Sequence, residues 1–353
     1  MRYLPTLPHR RALLACLATL GVCWSARTLA ATGLAEITQS AQGPVTVFYP
    51  TTAAEQPVRR GPFELNLAPD APPLRGNGRL IVLSHGSGGA PWVHSDFARH
   101  LVAAGYIVAM PQHAGDNWQD MGQVGPPSFA LRPHEVSAAI DAVQNDPRFA
   151  TLADFSQVGV WGMSAGGHTA LTLAGGRWSA ARLRDHCETH IGEDFMACTG
   201  ANIELKGGAF DGIKKALALA VIRFKLSDGQ MHGHTDARIK AIVAGVPFAS
   251  DFDLATLAAP VAPLGLVQAQ QDIWLLPKFN SAAVLAACKP CELVADLPSG
   301  GHGALMSPLP VDMPGWLARL LDDPPGFERN QETPPLHART TAFFQKHLLK
   351  TSP

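Results

Sequence analysis

The sequence predicts an α/β fold, with a mostly parallel central sheet covered by helices on both faces. Three observations carry that expectation. Apolar runs without alternation, such as Leu80-Ile81-Val82-Leu83 and Ile107-Val108-Ala109-Met110, read as strands buried on both sides. They alternate with helix-spaced segments along most of the chain. The 353 residues are 46% hydrophobic and only 16% charged, which suits one large core.

Taken in order, residues 1–30 read as an export signal. Arg2, His9, Arg10 and Arg11 form its basic region, "ALLACLATLGVCW" (12–24) its apolar stretch, and "ARTLAA" (26–31) its cleavage segment after Ala30 or Ala31. The stretch is too short to span a bilayer comfortably. "HRRALL" weakly resembles a twin-arginine signal. "LLAC" resembles a lipoprotein box, but leaves little apolar sequence ahead of Cys16. The expectation is a mature chain of 31–353, periplasmic or secreted, with no stable membrane span.

Strands are expected at 43–51 and 61–70, then at 78–84 running into the glycine-rich turn "SHGSGG" (84–89). A helix over 94–106 ends at Gly105. A buried strand opens 107–118, and a helix over 132–147 carries Pro133 in its first turn. The strand before Gly162 stops at "GMSAGG" (162–167), and small residues then open a helix. Strands follow at 239–248, 264–272 and 291–298, with helices at 280–287 and 338–349. Residues 176–238 break the rhythm, being far longer than a crossover needs, and read as an insertion, either a lid or a decoration. They include the amphipathic "IKKALALAVIRF" (213–224).

The charges balance, 28 Lys and Arg against 29 Asp and Glu, so no global field selects nucleic acid as a partner. With Cys16 and Cys23 in the signal, four cysteines remain. In an oxidising compartment they favour two disulfides, by proximity Cys187–Cys198 and Cys288–Cys291, although three pairings are open. "CKPC" (288–291) has the spacing of a redox pair, but no helix starts from it.

The chemistry centres on Ser164. A hydroxyl is a poor nucleophile unless a base takes its proton during attack. A sharp strand-to-helix turn exposes it at the carboxyl edge of the sheet and aims fresh helix N–H groups at any anion forming beside it. Gly162 and Gly166 fit so tight a turn. A second anion donor is expected from the turn at 83–89, giving the N–H groups of Ser87 and Ala165 as the oxyanion hole. His302, in "PSGGHGALMSP" after the last strand, is the candidate base. Asp272, ending the previous strand, is the candidate acid, with Asp251 and Asp253 as alternatives. His85 and His113 follow strands and are expected to line the pocket, whereas His168 reads as packing.

Together, "VFYPT", "LSHGSGG", "MPQHAGDN", "RPHEVSAAIDAV", "GMSAGGHTAL", "QQD" and "GGHG" resemble the α/β-hydrolase superfamily. More narrowly, they resemble exported esterases of the dienelactone-hydrolase-like and platelet-activating-factor-acetylhydrolase-like groups. The resemblance runs over 43–349. It implies a serine hydrolase acting on small-molecule carboxylic esters, of short-acyl or lipid type, with no cofactor. Where acetylhydrolases carry their acid, this chain reads "VAGVPF", with Gly245 and Pro247; the acid then falls to Asp272, as in dienelactone-hydrolase-like members. Those often use cysteine, and here the turn holds Ser164.

Other functions fit parts of the sequence. A peptidase or thioesterase uses the same triad, and a non-catalytic binding protein can share the fold. A metal hydrolase finds His186 and His190 at helical spacing and His232 and His234 nearby. The H-E-x-x-H frame that would supply its glutamate is missing, so no metal is expected.

Overall fold

The computed structural model describes residues 1, 31–38, 43–200, 204–310, 313 and 315–349; the expected signal, with Cys16 and Cys23, falls outside them. Its strands are β1 (Ala31–Ile37), β2 (Val45–Thr51), β3 (Gln56–Arg60), β4 (Phe63–Pro69), β5 (Leu80–Ser84), β6 (Ile107–Pro111), β7 (Val158–Met163), β8 (Arg177–Trp178), β9 (Ile239–Gly245), β10 (Phe252–Asp253), β11 (Leu264–Ala269) and β12 (Glu292–Leu297). The helices are α1 (Ser95–Ala103), α2 (Pro126–Asn145), α3 (Ala165–Leu173), α4 (Ala180–His190), α5 (Phe195–Thr199), α6 (Asp211–Lys225), α7 (Ser281–Ala287), α8 (Gly315–Leu321) and α9 (Arg329–Leu348).

Ten strands form one sheet in the order β12-β11-β9-β7-β5-β6-β2-β1-β4-β3. From β12 to β6 every neighbour is parallel. β2 then runs antiparallel to β6, and β1 pairs antiparallel with β2 but parallel with β4. The predicted mostly parallel α/β sheet is therefore the one observed.

Alternate residues of each central strand feed opposite cores, the period-two consequence of the pleat. Val158 and Val160 join Leu80, Val82, Ile242 and Leu266 on the face covered by α2, α3 and α7. Trp161 and Met163 join Ile81, Leu83 and Val243 on the face covered by α1 and α9. Both faces being dry, the strands need no polar alternation.

Two helices begin earlier than the sequence suggests. α2 opens at Pro126, so Pro133 lies well inside it. α9 opens at Arg329 and carries Pro334 and Pro335. An internal proline removes a helix hydrogen bond, at a cost of ~3 kcal/mol. Burial of Phe129, Val136, Ala139, Ile140 and Val143 along α2, and of Leu336, Phe343, Phe344 and Leu348 along α9, outweighs it. β1, β3 and the two-residue strands β8 and β10 were not foreseen.

The 176–238 insertion folds as β8, α4, α5 and α6, with β8 pairing β10. Cys187–Cys198 ties α4 to α5, and Cys288–Cys291 closes the turn from α7 into β12. In that second pair a helix ends and a strand begins, the reverse of a redox-active arrangement.

Candidate active site

Ser164 stands between β7 and α3 with φ 58° and ψ −115°, a conformation non-glycine residues rarely adopt. The turn is tight because three backbones meet there. A Cβ on Gly162 would strike the Gly166 carbonyl, and one on Gly166 would strike the Ser84 carbonyl at the end of β5. Glycine at both positions is a packing requirement, and it forces the serine outward.

Three side chains converge at this edge of the sheet. His302 Nε2 lies 3.1 Å from Ser164 Oγ, and His302 Nδ1 lies 2.7 Å from Asp272 Oδ2. Asp272 is 2% exposed and His302 6%, while Ser164 is half-buried. The other Asp272 oxygen, Oδ1, accepts the backbone N–H groups of Trp274 and Leu275, each at 2.9 Å. A carboxylate fixed at both oxygens holds the imidazole with its proton on Nδ1, leaving Nε2 free to accept one from Ser164.

The two alternative acids are engaged elsewhere. Asp251 Oδ2 meets His168 Nε2 at 3.1 Å, in a cage of Phe129, Trp178 and Phe252. Asp253 caps the turn at 254–257 through the Ala255 N–H and pairs with Arg182 at 3.1 Å. Neither reaches His302.

The expected anion donors belong to the two turns that meet at the serine. Ala165 opens α3, so its N–H has no intrahelical acceptor. Gly86 lies against Ser164, close enough that an added Cβ would sit 3.5 Å from the serine Cβ. The neighbouring Ser87 N–H finds no acceptor among the described residues.

His85 and His113 are expected to line the pocket, but both are buried beneath it. His85 Nδ1 donates to the Gly86 carbonyl at 2.7 Å, and its Nε2 accepts the His113 N–H at 3.4 Å. His113 bridges Ser84 Oγ at 2.8 Å and Glu135 Oε2 at 2.6 Å. Burial depresses both imidazoles well below 6.5; for His85 the neighbouring His113 adds to this, and for His113 the Arg132 charge does. Burial also raises Glu135 to about 7. These histidines shape the turn instead of meeting a ligand.

Sequence reasoning missed the residues that hold this turn. Ser128, Arg132 and Glu135 share one face of α2 and reach under residues 84–88. Arg132 is fully buried: Nε donates to Ser128 Oγ at 2.8 Å, one terminal nitrogen to the His85 carbonyl at 2.5 Å, and the other to Asp116 Oδ2 at 2.8 Å. Asp116 in turn accepts the Gly88 N–H at 2.9 Å and the hydroxyls of Ser87 and Ser128 at 3.1 and 2.8 Å. The Arg132 charge and these hydrogen bonds hold its carboxyl below the ordinary range despite burial, which acts the other way. The signal was available: Arg132 and Glu135 lie in the same helical stripe as Phe129, Val136 and Ala139, where a solvated charge does not belong.

The histidines considered for metal are dispersed. His186 pairs with Asp194 at 2.8 Å and packs with His190 against Phe279. His232 stacks on Trp178, and His234 meets Ser137 Oγ at 2.9 Å. Among the described residues no group of three or more His, Cys, Asp or Glu is arranged to hold an ion.

No family model and no curated protein matches the chain. Among solved structures, a ferulic acid esterase from Streptomyces cinnamoneus superposes with a TM-score of 0.58 at 16% identity, covering 93% of each chain. At that identity the likeness speaks for architecture: the chain has the α/β-hydrolase fold.

Proposed function

We propose that the chain is an exported serine hydrolase of carboxylic esters, with Ser164, His302 and Asp272 as its triad. The relay of 3.1 and 2.7 Å, mounted on a strained nucleophile turn, is the observation that carries this reading. Ser164 Oγ attacks the ester carbonyl while His302 Nε2 takes its proton. The N–H groups of Ser87 and Ala165 stabilise the tetrahedral oxyanion, and the departing alcohol recovers the proton from His302. Water, activated by the same imidazole, then releases the acid from Ser164. No step calls for a cofactor.

Exposed apolar side chains around the serine favour an ester with an apolar portion. Met121 lies beside Gly88, Trp118 donates its N–H to the Gly89 carbonyl, and Ile273 directly follows Asp272. We read the insertion at 176–238 as a lid, supported by two ion pairs to segments near the site. Glu193 pairs with Lys278 beyond Asp272, and Glu204 pairs with Arg319 at 3.3 Å beyond His302. Two disulfides support export, and Ala31 begins β1, so cleavage after Ala30 would leave the sheet whole. Assignment to the dienelactone-hydrolase-like or acetylhydrolase-like groups rests on the motifs quoted above.

The test is a fluorophosphonate probe on the folded protein. It should label Ser164, and Ser164→Ala should lose both labelling and hydrolysis of an ester panel while melting at the wild-type temperature. A folded wild type that takes no label would point to a binding protein, and a fully active alanine variant would remove Ser164 as nucleophile.

A further inference from the structure

The outward face of α6 has the polarity of a core. Ala218 and Ile222 point inward and are buried, as a surface helix requires. Yet Ile213, Leu217, Val221 and Phe224, spaced at three and four residues, are 58, 64, 53 and 84% exposed, and Phe210 just before them is 73% exposed. Exposed Gly212, Ala216 and Ala220 fill the adjoining row, so no charge interrupts the stripe. Single exposed hydrophobes are ordinary, but five in one helical row mark a contact surface.

The charges carried by this helix are mainly positive. Lys214, Lys215, Arg223 and Lys225 stand against Asp211 alone in this helix. Lys214 is paired with Asp211 at 3.0 Å and Arg223 with Glu188 at 2.7 Å. Lys225, exposed beside the stripe, has no carboxylate partner among the described residues, whereas Lys215 lies on the inward side of the helix with its Nζ beside Gly192.

We infer that α6 is a docking surface for an anionic lipid layer. The pattern of apolar row and lysine margin is that of a helix lying in a membrane interface, its apolar face entering by about 5–10 Å. Extent argues against a second copy as the occupant. The 15-residue helix is about 22 Å long. At about 10 Å wide the stripe offers roughly 220 Å², well short of the ~800 Å² per partner typical of a stable dimer. A lipid surface needs no matching shape, and its phosphates answer the free Lys225 and the basic margin it shares with Lys214 and Arg223. The helix is too short to cross a bilayer, so attachment is peripheral.

The experiment is co-sedimentation of the full chain with phosphatidylglycerol vesicles, read as bound protein with no substrate present. Its outcome is thus independent of the esterase reading. Wild type should partition onto the vesicles. Leu217→Glu with Phe224→Glu should lower the partition coefficient at least tenfold, leaving the melting temperature unchanged. Leu293→Glu, at an exposed apolar site on β12, should bind like wild type. Lys225→Gln should weaken binding severalfold, and 0.5 M salt should do the same. The inference is overturned if wild type stays in the supernatant or if the double glutamate variant binds equally. It is also overturned if sedimentation velocity shows a wild-type dimer that this variant splits.

Discussion

Replacing Asp272 by Asn keeps the shape of the side chain and changes only which hydrogen bonds it can make. In the native site Oδ1 accepts two N–H groups at 2.9 Å and Oδ2 faces His302 Nδ1 at 2.7 Å. An asparagine has one acceptor oxygen. Turned to keep Trp274 and Leu275, it points its NH2 at His302, which must then accept at Nδ1 and carry its proton on Nε2. Turned the other way, it leaves two buried N–H groups unpaired, at ~1–3 kcal/mol each. The first arrangement wins, because moving a proton between imidazole nitrogens costs less than losing two buried bonds. Nε2–H then faces Ser164 Oγ at 3.1 Å as a donor and cannot remove its proton. Loss of the correct tautomer in a serine triad lowers kcat by about 10⁴, or about 5.4 kcal/mol of barrier. The assay is steady-state hydrolysis of an aryl ester, with thermal melting measured in parallel. A D272N variant within tenfold of wild type at an unchanged melting temperature would refute the role given to this carboxylate.

Arg132→Met should destabilise the fold by ~3–5 kcal/mol in urea titration, because it strands the buried Asp116 carboxylate. Arg132→Lys should fold but reach fewer of the acceptors on residues 85, 116 and 128, lowering kcat by up to about 10² with little change in KM; wild-type kcat in that variant would contradict the clamp. Stability should also fall in mild acid. Burial lowers His94 to about 3 and His337 to about 4, so between pH 6.5 and those values the unfolded chain binds protons that the native state refuses. Each therefore costs about 2 kcal/mol at pH 5. His85 and His113 act in the same direction. Glu135, raised to about 7, acts oppositely and gains about 2 kcal/mol over pH 7 to 5, so the histidines prevail. A melting temperature that is flat from pH 7 to 5 would contradict this account, and His337→Gln should reduce the slope.

What the sequence disclosed follows from how local each signal is. The central strands are continuous apolar runs, and the turn at Ser164 is written in adjacent glycines, so both are legible in short windows. The positions of His302 and Asp272 came from their places after successive strands, a topological argument needing no contact information. β1 escaped because "ATGLAEI" is apolar only in part and directly follows a signal-like segment, and α2 and α9 were cut short because prolines outweigh packing in any local reading. The buried clamp was harder. Its members come from 84–88, 116 and 128–135, and an arginine looks solvated until the elements around it are known. His85 and His113 were expected to line the pocket, and their depth depends on α2 closing over them.

The strand that delivers His302 is β12, the last in sequence and an edge of the sheet, while Ser164 rides on β7 near the middle. In the proposed triad its base therefore arrives only after some 138 further residues have been threaded and docked. On that reading a nascent chain has a mute serine, unable to attack the esters of its surroundings. Turnover would then report that the sheet has closed through β12.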